Sequence, residues 1–262
     1  MKPATFLLTS CTAAAAAAVA VPPPSSSSSS SSNTRIPTSY ESAVLARRIL
    51  ALTPLGTLAT IFPSNSPSTA EDRPSSVAGM PHSLMDYISD CEPVSTGNPT
   101  LLALSIETTF KNTAAGSNLS IAVQWTPPHP PPRSLLSSLA TYFTSASPPL
   151  RYSPAALPRF SLLGYVEPIP NGDDRTPGAP GAALAKCFTS SHPDARYWLP
   201  GNRIHESHFV RLVVEQVYWI GGFGDRAFIG WIPVDEWRSV TEEEWQAVRL
   251  PGEEEGALLG DL

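Results

Sequence analysis

The sequence predicts a mostly antiparallel β fold with flanking helices, closed into a small barrel. Three observations carry this. Short apolar runs alternate with polar residues at period two, most strictly Leu119, Ile121, Val123 and Trp125 against Ser120, Ala122 and Gln124, which is how a strand with one buried and one wetter face reads. Turn signals such as Thr96–Pro99 and Ala114–Ser117 separate these runs at short intervals. Nothing alternates strand with helix in the manner of a parallel sheet.

Taken in order, Ser42 to Leu52 has helical periodicity, with Val44, Leu45, Ile49 and Leu52 on one face, and Pro54 and Gly56 stop it. Strands are expected at Thr57–Phe62, His82–Ser89, Leu101–Phe110, Leu119–Trp125 and Phe160–Glu167. A helix is expected over Ala182–Ser190, then strands over His208–Ile220 and Phe228–Pro233, and a short helix from Val234. Thr126 to Pro158 reads as an insertion holding nine prolines.

The ends differ from this body. Residues 1–20 read as a secretory signal: Lys2, an alanine-rich apolar run too short to span a bilayer, and the small-x-small site Ala18-Val19-Ala20. Residues 21–39, rich in proline and serine, cannot bury apolar area and are expected to be a disordered linker. The domain is expected over residues 40–240, followed by an acidic tail over 241–262 that reads as a solvated face. The net charge is −6, and from Thr241 onward seven acidic residues stand against one arginine. The body is therefore near neutral and ill suited to phosphate backbones, so no nucleic-acid partner is expected. No later run is apolar enough for a membrane span, and the mature chain is expected to be secreted and extracellular.

With Cys11 in the leader, Cys91 and Cys187 remain. They form a disulfide in an oxidising compartment, or Cys187, in the apolar helical pattern AALAKCF, is a buried thiol. Asn118-Leu119-Ser120 is an N-glycosylation sequon at a turn-to-strand junction, which makes Asn118 an expected glycan site.

Catalytic motifs fare poorly. HESH at His205–His208 spaces its histidines three apart where a zincin helix needs four, so no metal is expected there. His192-Pro193 reads as a helix end. The serines include no G-x-S-x-G elbow. GGFG, Gly221 to Gly224, follows a strand but opens no helix, and so lacks the context of a phosphate loop. Its glycines sit among Phe223, Phe228 and Trp231, a pattern suited to a sharp turn against a packed surface.

Several segments carry a resemblance. ARRILALTPLGTLATI, GMPHSLMDYISD, GNPTLLALSIETTFKN and GSNLSIAVQW, in that order, resemble the FMN-binding split-barrel superfamily, which includes pyridoxamine-5'-phosphate-oxidase-like proteins. SSHPDARYWLPGNRIHESHFVRLVVEQVYWIGGFG is similar to the CREG-like (cellular repressor) branch, and the IGGFGDRAFIGWIP ending resembles its fungal secreted type. The resemblance implies a split β-barrel, a homodimer, and, in flavin-binding members, FMN at the subunit interface. Carried over, Ser83 matches the serine of G-x-P-x-S, and Thr109 and Lys111 match the polar and basic positions ending the third strand, with Lys111 as the phosphate cation.

The resemblance implies, first, a binding module with a degenerate flavin site, no catalysis, and an extracellular protein as partner. It implies, second, an FMN-dependent oxidoreductase of the pyridoxamine-phosphate-oxidase type. The GGFG segment also resembles haem-utilising split barrels, which implies a haem-binding protein as a third reading.

Overall fold

A computed structural model describes residues 35–64, 73–93, 96–131 and 152–254. The expected signal segment, nearly all of the linker, most of the proline-rich insertion and the last residues of the acidic tail lie outside these. Helix α1 (Ser39–Leu52) opens the described chain. Thr38 and Glu41 form a reciprocal capping box at its start, satisfying two amide donors that the first turn cannot. Its apolar face, including Val44, Ile49 and Leu50, is buried in the barrel core.

Six strands follow one antiparallel path: β1 (Leu55–Ile61), β2 (Pro81–Tyr87), β3 (Thr100–Leu104), β4 (Leu119–Gln124), β5 (Arg159–Pro168) and β6 (Ser207–Ile220). Their order in the sheet is β2-β1-β4-β5-β6-β3, and β7 (Ile229–Ile232) adds to β6. The two ends of this path meet, because Ser89, just past β2, exchanges both backbone hydrogen bonds with Thr100 at the start of β3. The sheet thus curls into a barrel. Leu58, Ile121, Leu162, Val214, Val217 and Trp219 fill its interior.

A second apolar cluster lies under helix α3 (Pro180–Ser191), where Leu184 and Phe188 meet Leu102, Leu199 and Phe209. Cys91 borders it, and a disulfide joins Cys91 to Cys187. Among the described residues there are three further α-helices: α2 (Thr108–Ala114), α4 (Val234–Ser239) and α5 (Glu242–Ala247). Among the described residues no helix is long and apolar enough to cross a membrane.

The structure departs from the sequence reading in two places. The strand expected over Leu101–Phe110 ends at Leu104, and Thr108–Ala114 is helical instead. Ile106 and Phe110 fit a period of two and also lie four apart, so the run was compatible with either element. The second difference is at the acidic end. Thr241 and Glu244 cap α5 with a capping box, and the chain beyond it packs onto the barrel. Leu250 is 1% exposed, the Trp125 indole donates to the Pro251 carbonyl at 2.8 Å, and Glu253 pairs with Arg48. The glutamates of 242–244 and 253–254 read as a polar run, which concealed the apolar anchors Trp245, Val248 and Leu250 between them.

The Tyr218–Trp237 segment is an ordered hairpin leading into α4. Trp219 and Trp237 are buried, whereas Phe223 and Trp231 are half exposed. Gly222 has φ 143° and a backbone carbonyl, that of Ala156, only 2.9 Å from where a Cβ would stand. This position needs glycine for both reasons.

Candidate functional site

The strand alternation gives the sheet a face turned away from the core. On β1 it carries Leu55, Thr57, Ala59 and Ile61, on β4 Ser120, Ala122 and Gln124, and on β5 Arg159, Ser161 and Leu163. Small side chains in the middle of this face leave it hollow. One groove of about 630 Å³ is bounded by Leu55, Thr57, Met85, Ala122, Arg159 and Tyr218, among others. A second, of about 460 Å³, is lined by Ala59, Ile61, Pro81, Asn118, Ser120 and Leu163, among others. Thr57 pairs with Ala122 and Ala59 with Ser120, so the two grooves are consecutive stretches of one depression. Its rim is apolar and open: Leu55 is 42%, Ile61 48% and Met85 73% exposed. Large apolar side chains grouped on an exposed face mark an interaction surface.

Ser83 stands beside this depression, exposed on β2 and directly opposite Ala59. Thr109 and Lys111 do not end a strand. They lie on α2, which packs against β1 and is fastened there by the Asn112 amide donating to the Thr60 hydroxyl at 3.0 Å. Thr109 is 6% exposed and Lys111 is on the surface. Neither they nor Ser83 line either groove. A phosphate-bearing flavin needs several donors converging on its anion; Ser83 lies on β2, and Thr109 and Lys111 lie on α2, which contacts both β1 and β2. Asn118 is exposed at the lip of the second groove.

Two histidines, His192 and His208, have polar structural partners. His192 caps α3, places its Nε2 3.0 Å from the Ile88 carbonyl oxygen and stacks on Tyr87 at 4.3 Å. His208 pairs with Asp173 at 2.7 Å and lies 3.4 Å from Glu206. No group of three or more metal-ligating side chains occurs among the described residues.

One constellation escaped the sequence. Glu107, the N-cap residue of α2, lies against Asp86 of β2, carboxyl beside carboxyl. Burial, then the Asp86 charge, pushes the Glu107 carboxyl up to about 8, and burial also raises Asp86. The residues are far apart in sequence, and only the fold joins them. An unfolded Glu107 releases its proton near 4.5, while the folded chain holds it to about 8. The associated stability is therefore complete below pH 4.5 and is lost as pH rises toward 8. His208, whose pKa Asp173 raises, acts in the same sense. The urea midpoint should thus be higher at pH 5 than at pH 9. Glu107→Gln should remove about 1–2 kcal/mol of that difference, allowing for solvent screening of a half-buried group, and an unchanged difference would refute the pairing.

Comparisons with known proteins agree with this architecture. Among solved structures, the chain is similar to a heme binding protein from Mycobacterium smegmatis, with 21% identity over 78% of this chain and TM-score 0.49. It spans 62% of that protein's length. It is similar to Atu2129, of unknown function, from Agrobacterium tumefaciens, with 22% identity over 72% of this chain and 60% of the other and TM-score 0.44. An FAD-binding protein from Mesorhizobium loti is matched at 13% identity over 65% of this chain and 87% of that one, TM-score 0.36. No curated protein matches. The family model described as CREG, beta-barrel matches residues 37–239, from the start of α1 to the end of α4 and so through every strand of the curled sheet. The chain belongs to the CREG β-barrel family.

Proposed function

We propose that this protein is a secreted split-barrel binding module of the fungal CREG type, without catalysis, whose flavin site is degenerate. In this reading the hollow outer face of the sheet pairs with a second copy and presents a shared surface to an extracellular protein. The observation that carries it is the apolar rim of Leu55, Ile61 and Met85 around that face. The Cys91–Cys187 bridge is consistent with an oxidising compartment.

Light scattering tests the pairing. The purified chain should run as a dimer, and Met85→Glu should give a folded monomer, since a charge buried at an interface has no partner. A wild-type monomer would end the proposal. The cofactor is tested by colour. FMN titration should leave no flavin bound after gel filtration, and Lys111→Ala should change nothing. Retention of about one FMN per chain, lost in Lys111→Ala, would replace this reading by an FMN-dependent oxidoreductase. A Soret band on adding hemin, lost in a histidine variant, would replace it by haem binding. Secretion has its own test: chain recovered from a eukaryotic secretory host should lose mass with a peptide N-glycosidase, and Asn118→Gln should abolish that loss.

A further inference from the structure

The larger groove has a charge pattern that the pairing of barrels does not use. Its floor and walls are mainly apolar, with Leu55, Met85, Trp125, Phe160 and Ile220 contributing. No aspartate or glutamate lines it, and Arg159 is its one cation among the described residues. Arg159 opens β5 opposite Gln124 of β4 and Ile220 of β6. Its Nη1 donates one long hydrogen bond, 3.4 Å, to the Leu157 carbonyl. No carboxylate of the described chain forms an ion pair with it. The sequence between Gln124 and Glu167 contains no acidic residue at all, so the insertion beside the groove brings no counter-charge either.

Arg73, Arg175, Arg196, Arg203 and Arg238 likewise form no ion pair with a described carboxylate, so what sets Arg159 apart is its place in the groove. Arg35, Arg48, Arg211, Arg226 and Arg249 each pair with a carboxylate. Arg159 instead projects a guanidinium into a half-enclosed apolar trough. There its field is less screened than in open water, and an anion gains more from meeting it. The trough, at about 630 Å³, falls in the range of small-molecule sites, which are typically apolar with a few placed polar groups. Ser161, Gln124 and the Tyr218 hydroxyl supply such groups near the cation.

We propose that this groove binds an amphipathic monoanion, a carboxylate carried on an apolar chain or ring. The carboxylate sits on Arg159, whose planar fork matches its two oxygens, and the apolar body lies along Leu55, Met85 and Ile220. Every lining residue comes from one chain, and the groove lies on the face that the proposed pairing uses, so this inference rests on a pairing that leaves the groove open. Light scattering decides the pairing, and ligand titration decides the groove.

The test uses the full chain and calorimetric titration with dodecanoate, with 2-naphthoate as the ring-bearing probe, and with dodecanol and dodecyltrimethylammonium as uncharged and cationic controls. At least one carboxylate should bind at about one per chain, tenfold or more tighter than dodecanol, with no binding of the cation. Arg159→Gln should abolish that preference and leave carboxylate and alcohol equal, while Arg159→Lys should keep part of it. Should Arg159→Gln fold poorly, Ala122→Phe, which fills the trough from its floor, should abolish binding of both carboxylates. Equal affinity of wild type for dodecanoate and dodecanol, binding of neither carboxylate, or a preference that survives in Arg159→Gln or in Ala122→Phe would each overturn the proposal.

Discussion

Gly164→Ala should unfold the barrel or leave it far less stable than wild type. Gly164 lies mid-way along β5, the strand that bridges β4 and β6, at a register shift between Leu163 and Gly164. A Cβ there would stand 1.8 Å from the Val213 carbonyl oxygen and 2.9 Å from its carbon. Both are backbone atoms of β6, so no rotamer change relieves the overlap. The strands must part, and the ladder bonds beside the bulge go with them. Loss of buried backbone hydrogen bonds together with overpacking places the cost above about 3 kcal/mol. Gly116→Ala is the control. It has nothing within 4 Å of a new Cβ, but φ +98°, so it carries only backbone strain of the order of 1 kcal/mol or somewhat more. Urea midpoints compare the two. A Gly164→Ala protein melting with wild type would mean that β5 and β6 are not in this register.

That glycine shows where a sequence stops being readable. Period-two alternation located the strands to within a residue or two, because burial on one face leaves its mark on every second position. The helix expected over Ala182–Ser190 is there as Pro180–Ser191, since a proline at its first turn and an apolar stripe are local features. Gly164 gave no such mark: its requirement comes from a carbonyl on β6, about fifty residues away. The same holds for Asp86 with Glu107, and for Arg159, whose significance lies in what fails to surround it in space. The third strand is the instructive miss. LSIETTF satisfies either period, and the short helix is chosen by tertiary contacts, with Phe110 buried in the core and Asn112 reaching Thr60 of β1. Propensity over seven residues is too weak to predict that outcome.

Breaking the Cys91–Cys187 bridge is expected to cost nearly as much as Gly164→Ala, by a different route. The bridge spans a sequence separation of 96. Closing a loop of that size removes denatured-state entropy worth about 4.7 kcal/mol in the chain-entropy account, and loss of such bridges in secreted domains is typically worth 2–5 kcal/mol. Its position determines what fails first. Cys187 lies on α3 and Cys91 on the connection from β2 to β3. The bridge therefore fastens the smaller cluster, built on Leu184, Phe188 and Phe209, to the strand path that closes the barrel. The larger cluster contains neither cysteine and is held together by α1 and the sheet. Cys91→Ser with Cys187→Ser should accordingly lower the urea midpoint and loosen the two clusters unequally. Amide exchange should accelerate across Pro180–Ser191 well before β4 and β5, because a small cluster on a single helix has little burial of its own to resist opening. Uniform acceleration through both clusters would show that they unfold as one cooperative unit. Unchanged exchange over Pro180–Ser191 would show that packing around Phe188, without the bridge, holds that helix in place.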